Sequence, residues 1–195
     1  SVSHRTYRRE PSFTVAIARD PAFNFMYEAN IRYLHHLGEV TYFSPLADTS
    51  LPDTGFVYLP GGYPELYLAA LSANRPMLQS IRRYVENGGK LLAECGGMMY
   101  LCDEIRDKNG DVYPMAGVLH QSATMENMKL RLGYRTLLYD DARLKGHEFH
   151  YSRLVERQDP LPSCAVAYTA KGVETDTPLY HYKNVWAGYT HLYWA

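Results

Sequence analysis

The sequence predicts an α/β fold, a mostly parallel sheet flanked by helices with antiparallel additions. Three observations lead there: short β-branched apolar runs alternate with stretches of helical period, turn residues bound the runs, and past Leu101 the pattern loosens into short strands. The 195 residues suffice for one core of ordinary size and are too few for two full-sized domains.

The run FTVAIA, beginning at Phe13, is continuously apolar and stops at Asp20-Pro21, as a strand buried on both faces does. Phe23, Met26, Tyr27, Ile31, Leu34 and Leu37 then recur at spacings of three and four, which predicts a helix capped by Gly38. Strands are expected over 40–44 and 56–59, the second broken by Pro60-Gly61-Gly62. Helices are expected over 65–73 and 76–86, the latter closed by Gly88-Gly89, and KLLAE makes a fourth strand. Further on, Lys108-Asn109-Gly110 reads as a turn, and YRTLLY, CAVAYT and NVWAGYT as antiparallel additions to the sheet. Parallel strands bring their carboxyl ends to one edge, where function is expected to gather.

A net charge of -1 gives no electrostatic footprint for nucleic acid or an anionic membrane, and no stretch is apolar enough to span one. The polar, basic opening, residues 1–12, reads as the remnant of a linker, and residues 13–195 as the domain itself. Three cysteines without a CxxC argue against a disulfide framework, and the protein reads as cytoplasmic. The 18 tyrosines are the compositional outlier; they suit half-buried strands and, in part, an amphipathic interface.

The densest chemical signal is GGKLLAECGGMMYL. An apolar strand runs into Cys95, and small residues at Ala93, Gly96 and Gly97 permit the sharp turn that pushes a nucleophile to the sheet edge. A thiol at a helix amino terminus is expected to favour thiolate. Cys102 and Cys164 lack that context and read as packing residues. A thiolate attacking a carbonyl also needs an oxyanion hole and a base. Gly61 and Gly62 follow the neighbouring strand and can turn an N–H toward Cys95, and Gly96 offers a second. Among eight histidines, His35 and His36 end the first helix, whereas His191 closes the β-rich run WAGYTHLYW and can return over the elbow. GHEFHYS gathers His147, Glu148 and His150, but its spacing is not the H-E-x-x-H of a zinc helix, and no metal is assigned. No G-x-x-x-x-G-K-[ST] occurs, so ATP chemistry is expected elsewhere than in this chain.

Taken together, AIARDPAFNFMY, LPGGYPEL, LSANRPM, AECGGMMYL, YPMAGVL, LGYR, GHEFHYS and GYTHLYW span most of the chain. In them the sequence resembles the carboxyl-terminal glutamine amidotransferase domain of the cobyrinic acid a,c-diamide synthases. The resemblance implies a flavodoxin-like class I glutaminase fold with Cys95 as nucleophile, His191 as its base, and Gly62 and Gly96 as oxyanion donors. It places Gly61, Tyr63, His147, Glu148, His150 and Tyr151 on the glutamine or corrin side of the site. In the wider class a Glu stands two residues after the histidine; here that residue is Tyr193, so a Cys-His-Glu triad cannot be carried over. The implied partners are glutamine and a corrin shared with an amino-terminal domain that binds ATP and Mg2+, absent from this chain. Sibling amidases, acting in cobyric acid synthesis or on nickel-sirohydrochlorin, and a catalytically silent binding module are the alternatives.

Overall fold

The computed structural model describes residues 13–194; the expected linker over 1–12 lies outside the described residues. The first half runs β1 (Phe13–Ala18), α1 (Glu28–Leu37), β2 (Gly38–Phe43), β3 (Phe56–Leu59), α2 (Leu68–Ala73), α3 (Arg75–Glu86), β4 (Lys90–Glu94) and α4 (Gly96–Leu101). Strands dominate thereafter: β5 (Cys102–Arg106), β6 (Val112–Pro114), β7 (Leu119–Thr124), β8 (Arg131–Tyr139), β9 (Ala142–His150), β10 (Arg153–Leu154), β11 (Val166–Thr169), β12 (Glu174–Thr175), β13 (Leu179–Tyr182), β14 (Val185–Gly188) and β15 (His191–Leu192).

The central sheet has the order β13-β14-β4-β3-β1-β2 and is parallel except for β13 at one edge. Its middle strands are the apolar runs that the sequence marks, and Val57, Leu59, Leu91 and Ala93 are fully buried. On α3, Met77, Leu78, Ile81 and Val85 face this core, each contributing roughly 1.5–3 kcal/mol by leaving water. Two smaller sheets follow, β10-β7-β5-β6 and β12-β11-β8-β9-β15.

Several expectations are corrected. The strand in NVWAGYT is not an antiparallel addition: β14 lies parallel beside β4 in the heart of the central sheet. YRTLLY and CAVAYT do pair antiparallel, but in the separate five-stranded sheet. The first helix starts at Glu28 rather than near Phe23, because Asp20 accepts the Ala22 and Phe23 N–H groups in a local turn and Phe25 bridges to Gly61. Gly38 is no left-handed cap; its φ of 173° is extended, and it opens β2. Glycine is needed there because a Cβ would stand 1.9 Å from the Phe13 carbonyl oxygen. The helix expected over 65–73 splits into a 3-10 turn at Pro64–Leu66 and α2. Cys102 opens β5 and packs in the core as expected.

Candidate active site

The carboxyl ends of β1, β3, β4 and β14 lie side by side, so the segments leaving them converge. Those segments supply Phe25 and Tyr27, then Gly61, Gly62 and Tyr63, then Cys95, and finally Tyr189, Thr190 and His191. One cavity of about 290 Å³ is lined by Phe25, Gly62, Tyr63, Cys95, His147, Phe149 and His191.

Cys95 occupies the strand-to-helix elbow with φ 50° and ψ −109°, a backbone conformation that L residues rarely adopt. Its N–H is fixed to the Gly188 carbonyl at 2.8 Å. The elbow closes only because its neighbours lack side chains. A Cβ on Gly97 would meet the Leu59 carbonyl oxygen at 2.2 Å, and one on Gly96 would meet Pro64 at 2.7 Å. The Gly96 N–H points at the Cys95 sulfur, while the thiol also approaches the Phe149 carbonyl at 3.6 Å. Here the expected preference for thiolate is corrected: burial pushes the Cys95 thiol well up, Glu65 adds to the rise, and the Gly96 N–H opposes it only in part.

His191 is 4% exposed and enters the cavity from β15, whose two residues pair antiparallel with β9, His191 opposite His147. Phe25 meets its ring edge-on at 4.5 Å between centroids, and His147 stacks on it at 5.0 Å and 25°. Burial, with His147 and then His150, pulls the imidazole down to about 3, so it is neutral. The backbone just beyond it is clamped. Glu94 accepts the Leu192 N–H at 2.8 Å and the Tyr58 hydroxyl, while Asn30 donates to the Leu192 carbonyl at 2.7 Å and accepts the Trp194 N–H at 2.9 Å. Burial raises Glu94 to about 7 against these hydrogen bonds. Tyr193, at the place of the wider class's Glu, is half exposed and meets Tyr27 edge-on.

The pleat of β9 divides the GHEFHYS motif. His147 and Phe149 line the Cys95 cavity, whereas Glu148 and His150 line a second, more polar one of about 530 Å³. Glu148 is held there by Arg135 at 2.8 Å, Arg131 at 3.3 Å and the Thr177 hydroxyl at 2.7 Å. Burial works against its charge, but the His150 ring, Thr177 and Arg131 prevail and bring the carboxyl down to about 2. Tyr151 lines neither cavity and packs edge-on against Phe149. Gly61 lies behind His191, where a Cβ would stand 2.2 Å from the ring. Among the described residues, no three His, Cys, Asp or Glu side chains gather as metal ligands.

Sequence reasoning missed Phe25, Phe149, Asn30 and Glu94 as parts of this site. Asn30 carried a signal: it sits one turn before Leu34 on the apolar stripe of α1, where a polar residue needs a buried partner. Phe25 had none, since its segment reads as helix and only the bridge to Gly61 brings it to the cavity.

Residues 14–195 match the family described as the CobB/CobQ-like glutamine amidotransferase domain. The chain belongs to this family. A hydrogenobyrinate a,c-diamide synthase from Pseudomonas aeruginosa is 39% identical over 185 residues, covering 92% of this chain and 41% of the relative. The cobyrinate a,c-diamide synthases of Fusobacterium nucleatum and Salmonella typhimurium are 40% and 37% identical and cover 92% and 93% of the chain. The chain thus spans about two fifths of the length of these relatives. Among solved structures, PurLQS from Thermotoga maritima aligns with a TM-score of 0.62 at 17% identity, over 93% of this chain and 88% of the other. A glutamine amidotransferase from the same organism aligns at 0.60 and 14%, over 93% and 76%. The glutamine amidotransferase domain therefore has the class I fold, with its elbow cysteine at the carboxyl edge of the sheet. Among the described residues, no helix is long and apolar enough to cross a membrane.

Proposed function

We propose that the chain is the glutaminase part of an ATP-dependent ligase that converts the a and c carboxylates of a cobyrinate-type corrin to amides, with glutamine as the nitrogen donor. The observation that carries this reading is Cys95 at positive φ, its sulfur facing the Gly96 N–H, in a cavity shared with a neutral, buried His191. The names of the relatives supply the acceptor.

In the reaction, His191 takes the thiol proton as Cys95 attacks the side-chain amide carbon of glutamine. A desolvated thiol does not ionise in advance, so proton transfer and attack proceed together. The oxyanion of the tetrahedral intermediate lies against the Gly96 and Gly62 N–H groups. Return of the proton from His191 to nitrogen breaks the C–N bond, leaving a γ-glutamyl thioester and free ammonia. Water, deprotonated by His191, then releases glutamate and restores the thiol. Tyr63, on the cavity wall, flanks the bound glutamine.

ATP and Mg2+ serve the activation of the acceptor carboxylates as acyl phosphates. The sequence has no phosphate-cradling loop and the described residues gather no ligand set, so the residues present do not fit that group, and no step here runs through it. The residues that hold ATP, Mg2+ and most of the corrin belong to a partner domain. Exposed Tyr63, Tyr134, Tyr151 and Tyr193 supply amphipathic contact area toward that domain and the corrin.

The test is labelling by diazo-oxo-norleucine, a glutamine-mimicking electrophile, located by peptide mass spectrometry. Glutamine-protected modification of Cys95 alone, slowed by His191→Ala and abolished by Cys95→Ser, is expected. An unreactive Cys95 in the full-length protein would instead make the domain a silent binding module.

A further inference from the structure

In covalent catalysis the base beside the nucleophile is commonly oriented in turn by a third group. Tyr193 leaves no carboxylate where the wider class carries one, and among the described residues the partners of the His191 ring are other rings and a glycine. Of these, His147 is the best anchored. Its strand is paired with β8 along its full length, whereas β15, which carries His191, is two residues long. The Tyr27 hydroxyl is hydrogen-bonded to His147 Nδ1, and Phe25 closes against the same ring at 5.5 Å between centroids. His147 and His191 are direct cross-strand neighbours, the arrangement that brings side chains of adjacent strands into contact.

We propose that His147, held by Tyr27, is the positioning residue of His191, its flat ring fixing the plane of the base as a hydrogen-bonded carboxylate would in a triad. The proposal rests on the reading of His191 as the base of the glutaminase. Its physical content is specific. Stacking restricts the tilt of the imidazole without adding a negative charge beside it, so the base is oriented but not made more basic. The low proton affinity of His191 agrees with this, since burial and the neighbouring imidazoles both act against the charged form.

The experiment uses the full-length natural protein, with glutamine hydrolysis measured for wild type, His147→Ala, His147→Phe and Tyr27→Phe, and Cys95→Ser as the blank. With histidines labelled at Cε1, NMR follows the His191 resonance, which reports the ring stacked on it whether or not the enzyme turns over. His147→Ala is expected to lower kcat by about 10- to 100-fold with KM within about threefold, the size of effect that a misplaced catalytic group produces. His147→Phe, which keeps the flat ring, is expected to recover most of that loss and to keep the His191 resonance near its wild-type position. Tyr27→Phe is expected to lose a few-fold in kcat. An unchanged kcat in His147→Ala overturns the proposal. So does a loss confined to KM, which would make His147 a glutamine contact, and so does a His147→Phe variant no better than alanine. If His147→Ala fails to fold, an unchanged kcat and an unmoved His191 resonance in Tyr27→Phe overturn it. A wild-type protein without glutaminase activity removes the reading of Cys95 and His191 instead, and the resonance in His147→Ala and His147→Phe still decides whether His147 orients the ring.

Discussion

Replacing Gly61 by alanine tests whether His191, the proposed base, is held as tightly as the structure shows. The new Cβ would stand 2.2 Å from His191 Cε1 and 2.9 Å from Nδ1. Carbon atoms rest at about 3.5 Å or more, so something must move by roughly 1.3 Å. The imidazole has little room to retreat, with Phe25 at 4.5 Å and His147 at 5.0 Å between ring centroids. The Gly61 backbone can recoil only by straining its bridge to the Phe25 N–H, a 3.1 Å hydrogen bond, and by shifting the adjacent Gly62. Either response displaces a group that the proposed reaction uses, and an ångström of misplacement costs about 100-fold in rate. Overpacking of this kind costs about 1–3 kcal/mol of stability, so the protein still folds, with Tm lowered by several degrees. The assay is steady-state glutamine hydrolysis beside a thermal melt. A Gly61→Ala protein whose kcat stays within about threefold of wild type would refute the reasoning, because a factor of three is far below the displacement cost.

The remaining predictions concern the thiol and the polar groups around it. Because burial raises the Cys95 thiol, alkylation of the free protein by iodoacetamide should keep climbing with pH above 9; a plateau at pH 7–8 would mean that the thiolate is already formed. Asn30→Ala removes both of its backbone hydrogen bonds beyond His191 and strands buried groups, so unfolding in urea should show a loss of about 2–3 kcal/mol together with a lower kcat. The Glu148 carboxyl lies at about 2 in the folded protein against an ordinary 4.5, so it binds fewer protons than in the unfolded chain. Stability from this group is full above about 4.5 and is lost as pH falls toward 2. Glu148→Gln should flatten that acid limb and cost about 3–5 kcal/mol at neutral pH by leaving buried Arg135 without its carboxylate, as pH-dependent denaturant melts would report.

Much of the first half of the molecule is legible in the sequence because its strands are short apolar runs bounded by turn residues, and α3 keeps a clean apolar stripe. The segment from Phe23 to Tyr27 misleads for a physical reason: its apolar spacing is helical, yet Asp20 and Gly61 offer its backbone partners that a helix would forgo. β14 is misread for another. Four residues in NVWAGYT carry no mark of direction, and only the return of the chain from β13 beside β4 makes them parallel.

By itself, the sequence determined the α/β class, the elbow at Cys95 and the candidate base at His191, because these depend on local backbone chemistry: a strand meeting glycines, and a strand near the chain's end. Only the tertiary structure decided which side of β9 each GHEFHYS residue faces, which way burial moves the thiol, and which side chains surround the His191 ring. Those outcomes depend on long-range pairing and desolvation. The register of β15 on β9 sets His147 against His191, and Asn30 and Glu94, 162 and 98 residues away from Leu192, fix the backbone that follows His191.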